Sequence, residues 1–62
     1  MTIDKIKAYM PSEIFEYWTS CKDIEALNKA KAILKSEISE GLLNGIRYQA
    51  ELQLLQLLTE SE

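Results

Sequence analysis

Apolar residues recur along most of this chain at the spacing of a helix rather than of a strand. At about 100° per residue, Leu27, Ala30, Leu34 and Ile38 fall on one face, with Ile24 at its margin and Ile33 towards the opposite margin. The pattern predicts a helix over about 21–39. Further on, Leu42, Leu43, Ile46, Ala50, Leu54 and Leu57 form one stripe, and Tyr48, Leu52 and Leu55 form a second, narrower one. Extending the upstream face at heptad spacing lands on Glu37, Gly41, Asn44, Tyr48 and Glu51, a poor apolar seam. The two patterns are therefore out of register, which predicts a break between 39 and 45. Gly41 and the Asn44-Gly45 dipeptide supply the turn chemistry there. Glu40-Gly41 is the favoured turning point, Asn44-Gly45 the second, and a single bent helix the alternative. Gly41 and Gly45 also match the small-xxx-small spacing of close-packed membrane helices, but in an acidic chain the spacing reads as turn punctuation.

The N-terminal third is less regular. Thr2 is placed to cap a turn holding Ile3, Ile6 and Lys7, and Pro11 ends that turn by disfavouring helical geometry at Met10. Pro11 suits the first turn of a second short helix, whose residues Ile14, Phe15, Tyr17 and Trp18 crowd into one amphipathic segment. Ser20-Cys21-Lys22-Asp23 resembles a capping box that opens the longer helix. The predicted organisation is a single small domain over 1–62: a short helical arm at 1–19, helices at 20–40 and 41–59, and a polar run from Thr59 to Glu62 that frays into the tail at 60–62. The fold class is all-α, a helical hairpin with a short N-terminal arm.

Composition agrees with helix. Valine is absent, and Ala, Leu, Glu, Lys, Gln, Arg and Met make up 34 of the 62 residues. Size changes the picture more. Chains below about 70–80 residues usually need a disulfide, a metal or oligomerisation for stability. Cys21 is the sole cysteine and there is no histidine, so an internal disulfide and the usual zinc sites are excluded. No metal and no cofactor are expected. The remaining staple is a partner. One helix of a hairpin hides about one stripe, and the last helix has two. The expectation is that the Leu43–Leu57 stripe packs on the preceding helix. Tyr48, Leu52 and Leu55, with Phe15, Tyr17 and Trp18, would then form an interface that completes the bundle as a homodimer. The alternative is that these aromatics cover that stripe within the same chain.

Catalytic sets are missing. Without histidine there is no Ser-His or Cys-His nucleophile pair, and neither a GxxxxGK[ST] loop nor a GxGxxG motif occurs. Cys21 sits beside Lys22 near an expected helix start, a setting that lowers a thiol pKa, but a small buried hydrophobe is the plainer reading. The i,i+3 pairs Glu13 with Glu16 and Glu37 with Glu40 lack the Glu-x-x-His partner of di-iron bundles and read as solvated acidic faces.

Charge narrows the partner. The net charge is −3, with the first 35 residues carrying six lysines against five acids and the rest one arginine against five glutamates. Phosphate binding needs a concentrated basic face. Here the candidates are only Lys22, Lys29, Lys31 and Lys35, and nucleic-acid contact through them in a dimer is the alternative function. The leading expectation is a non-enzymatic protein-interaction module, an accessory inhibitor or adaptor of the kind carried by phages and other mobile elements. Its partner would be an unidentified protein. No apolar run reaches the roughly 18 residues of a membrane span, and Met1 to Lys5 do not open a secretory signal, so the expected location is cytoplasmic.

Overall fold

A computed structural model describes residues 3–60. They form four helices: α1 (Ile3–Lys7), α2 (Ser12–Ser20), α3 (Ile24–Ser39) and α4 (Ile46–Glu60). The fold is all-α, and no strand occurs among the described residues. Among them, no helix is long and apolar enough to cross a membrane. The expected cap at Thr2 and the tail residues Ser61 and Glu62 lie outside the described residues.

The break between α3 and α4 uses both glycines. Ser39 ends α3, Glu40 caps it, and Gly41 follows at φ 80°. The Leu42 amide donates to the Glu37 carbonyl at 2.9 Å and the Gly41 amide to the Ile38 carbonyl at 3.1 Å. This is a Schellman motif, in which the left-handed residue lets the chain bond back to two carbonyls the helix leaves open. Gly45, at φ 113°, then precedes α4, and its carbonyl accepts from the Gln49 amide. The chain reverses over residues 40–45, so that Lys31 on α3 meets Thr59 near the end of α4. A single bent helix is thereby excluded, and α4 begins at Ile46 rather than near 41. Leu42 and Leu43 belong to the connection.

The start of α3 also differs from the capping-box reading. Ser20 closes α2, and Asp23 caps α3: its Oδ1 accepts from the amides of Glu25 (3.1 Å) and Ala26 (3.3 Å). A carboxylate at this position both satisfies open amides and faces the positive end of the helix dipole, so it outcompetes Ser20 three residues earlier.

α4 is the central helix, with α1, α2 and α3 all packed on it. One core cluster joins Ile6 and Met10 to Ala50 and Leu54, with Ile14, Phe15 and Leu57 against it. The other joins Leu27 and Leu34 to Leu55, with Ala30, Ile38, Tyr48 and Leu52 against it. Trp18 and Leu58 touch both clusters. On α4 only Ile46, Gln49, Gln53 and Glu60 are exposed. At ~100° per residue these four share an arc of roughly 60°, so most of the helix circumference is covered. The expected pairing of stripes is therefore reversed. Tyr48, Leu52 and Leu55 face α3, whereas Ala50, Leu54 and Leu57 face the N-terminal helices. The reason lies in the connection. Because Leu42 and Leu43 are outside the helix, the rotation at which α4 meets α3 is set by the backbone of 40–45, which periodicity does not encode.

Candidate functional site: an acidic-rimmed apolar strip

The residues assigned to a dimer interface have different fates. Leu55 is 1% exposed and belongs to the core of one chain. Tyr48, Leu52, Phe15 and Trp18 are half-buried, packed on the two clusters. Of the six, only Tyr17 is turned outward, at 68% exposure. Intrachain cover thus accounts for the second stripe: α3 takes it, with Trp18 at its edge. Leu55 is not available to a partner in this conformation.

What remains outside is a different set of side chains. Tyr17 and Trp18 are adjacent on α2, their rings edge to face with centroids 4.9 Å apart. Trp18 lines an open cleft of ≈ 250 Å³ together with Ala30, Ile33, Leu34 and Leu55. Ile33 also lines the neighbouring depression with Ala32, Ser36 and Leu42. Trp18 and Ile33 share the cleft, Ile33 and Leu42 share the depression, and Tyr17 joins through its ring contact with Trp18, so the four form an apolar strip across α2, α3 and the 40–45 connection. Ile33 is 51% exposed and Leu42 67%. Each position has a local cause. Ile33 lies on a flank of α3 outside its buried face, in the cleft that Glu51 and Leu55 of α4 also line. The Schellman turn throws Leu42 back along the last turns of α3, where a hydrophobic contact often accompanies that motif.

The strip is edged by carboxylates. Glu37 and Glu51 line the cleft, Glu37 and Glu40 the depression beside Leu42, and Glu13 and Glu16 the hollow beside Tyr17. No lysine or arginine lines any of the three. The nearest cations by helical spacing are Lys29, one turn before Ile33, and Arg47, one turn before Glu51, whose guanidinium lies 4.6 Å from the Tyr48 ring centroid. Glu51 has a second role. It accepts a hydrogen bond of 2.8 Å from the Trp18 indole Nε1, across 33 residues of chain. This bond fixes the indole as a wall of the cleft and ties α2 to α4. Sequence reasoning singled out Trp18 but not Glu51. The available signal was a tryptophan N–H that needs an acceptor when half-buried, which names the need but not the partner.

The candidate nucleic-acid lysines are not gathered on one surface. Lys35 is exposed on one flank of α3, Lys31 beside it is half-buried and donates from Nζ to Thr59 Oγ1 at 3.0 Å, and Lys29 lies on the opposite flank. Lys22 sits in the connection before α3. Thr59, read as part of the frayed tail, is 8% exposed, and its hydroxyl also contacts the Leu55 carbonyl at 2.9 Å. It is the one buried polar side chain among the described residues. Cys21 is half-buried and packs on the Leu27–Leu34–Leu55 cluster. No group of three or more metal-ligating side chains occurs among the described residues. Comparison with known proteins finds no family model, no curated protein and no solved structure that matches this chain.

Proposed function

We propose that this chain is a non-enzymatic protein-interaction module, a small accessory regulator that works by docking. The observation that carries the reading is the outward strip Tyr17–Trp18–Ile33–Leu42. Monomeric proteins rarely keep a contiguous apolar surface without a use for it, and a polar rim around such a surface marks binding sites. Tyrosine and tryptophan at its centre are the residue types enriched among binding hot spots. The lack of histidine and of any nucleophile pair favours docking over catalysis.

Site-specific crosslinking in the native host tests the proposal. A photoreactive side chain replacing Tyr17 is expected to give a discrete adduct with one cellular protein. The same group at Gln53, on the exposed arc of α4, is expected to give none. Ile33→Ser, in a chain that melts normally, is expected to remove the Tyr17 adduct. Adducts of equal yield from both positions, or none from Tyr17, would reject the docking role.

A further inference from the structure

Resting on that reading, we infer that the strip receives a basic, amphipathic helical segment of another protein, with apolar anchors on one side and lysines or arginines along its edges. The apolar part of the recognition is the cleft between Trp18 and Ile33, whose floor is Ala30, Leu34 and Leu55. A groove walled by helices is suited to a helix laid with its i, i+3, i+4 and i+7 side chains inward. The polar part is the rim. Glu13, Glu16, Glu37, Glu40 and Glu51 edge the strip, and the described contacts pair none of them with a lysine or arginine. Glu37, Glu40 and Glu51 therefore gather at the cleft and the depression that Ile33 joins, with Glu13 and Glu16 beside Tyr17 at one end.

Charge decides among occupants. A second copy placed by two-fold symmetry would set this glutamate rim against itself, and like charges across an interface oppose association. Nucleic acid and anionic membranes bring phosphates to the same carboxylates and are repelled. A basic helix laid in the cleft meets the opposite charge of Glu37, Glu40 and Glu51. Size sets its length: the longest dimension of the molecule is 29 Å, room for at most about 19 residues at ~1.5 Å per residue.

The test uses the whole chain and two synthetic helical peptides with the same leucine- and phenylalanine-bearing face, one flanked by lysine and the other by glutamate. Trp18, the sole tryptophan, lines the cleft and reports binding through its emission. The lysine peptide is expected to bind about tenfold more tightly than the glutamate peptide. Most of that preference should vanish between 0.1 M and 1 M salt, where the Debye length falls from about 10 Å to about 3 Å. Glu37→Lys and Ile33→Ser should each weaken the lysine peptide severalfold. Glu60→Lys, the same charge change on the exposed arc of α4, should not.

Equal affinity for the two peptides would overturn the inference. So would a Glu60→Lys effect as large as that of Glu37→Lys, since attraction would then be to net charge rather than to the rim. A chain that sediments as a dimer, and becomes a monomer with Ile33→Ser, would show that the strip holds a second copy and would overturn it as well. If the peptides fail but the Tyr17 adduct still forms and is lost with Ile33→Ser, the docking role stands and the basic-helix assignment falls. If Ile33→Ser changes neither readout, both fall.

Discussion

The two sides of α4 are built in different ways. On one side α3, 16 residues long, returns α4 through a connection only six residues long, and the contact rests on Leu27, Leu34 and Leu55. On the other side α1 and α2 have five and nine residues, and they bring Ile6 and Met10 against Ala50 and Leu54. Isolated helices shorter than about 12–15 residues are marginal in water. α1 and α2 therefore owe their helicity to burial against α4, whereas α3 and α4 have length and a short loop in their favour, and α3 its caps. Three buried leucines hold the hairpin side, whereas a single buried leucine with Ile6, Met10 and Ala50 holds down the strap.

Truncation at the centre of each side gives the largest effects. Leu54 is 0% exposed and Leu55 1%, and Leu→Ala at such sites costs about 2–5 kcal/mol. Small domains have little more than that in total, so urea titrations followed by circular dichroism should find both variants largely unfolded. If Leu54→Ala were much milder than Leu55→Ala, the N-terminal side would contribute little to the fold.

Ile6→Ala separates the sides more gently. It should release α1 and α2 while the α3–α4 hairpin keeps its helicity. Amide hydrogen exchange is then expected to accelerate at 6–20 far more than at 27–39. Uniform acceleration across both stretches would mean the four helices open as one unit.

Much of this comparison was legible in the sequence, and the exceptions share a cause. The α3 face, the break at the glycines and the use of Pro11 between two short helices follow from local periodicity and turn chemistry. Which stripe of α4 faces α3 does not, because the rotation of one helix about its axis depends on the path of 40–45. Local rules mark Met10 only as the residue before Pro11 and Thr59 as the start of the polar run, yet both are buried, Met10 against Ala50 and Leu54 of α4 and Thr59 beneath Lys31. The strip was half visible: Tyr17 and Trp18 drew attention as aromatics. Ile33 registered only as a residue out of phase, and Leu42 as part of a stripe it does not join.

Two smaller effects sharpen the picture further. Asp23→Ala removes the cap of α3 and should cost about 0.5–2 kcal/mol, a loss on the hairpin side alone. Thermal melting checks it, and Asp23→Asn, which keeps an acceptor, should recover most of the loss. Trp18→Phe keeps the ring against both clusters but deletes the Nε1–H to Glu51. Because the pair is only part-buried, the expected cost is about 1 kcal/mol. No change in the melting midpoint would mean that water replaces the indole donor without penalty.

The position of α4 in the chain bears on how the protein is made. The ribosome delivers α1, α2 and α3 before the helix that each of them packs on. Until α4 emerges, Ile6, Met10, Leu27 and Leu34 lack the helix that covers them, and the nascent polypeptide carries these oily positions open. The surface on which the three earlier helices pack is complete only once the fourth has been made.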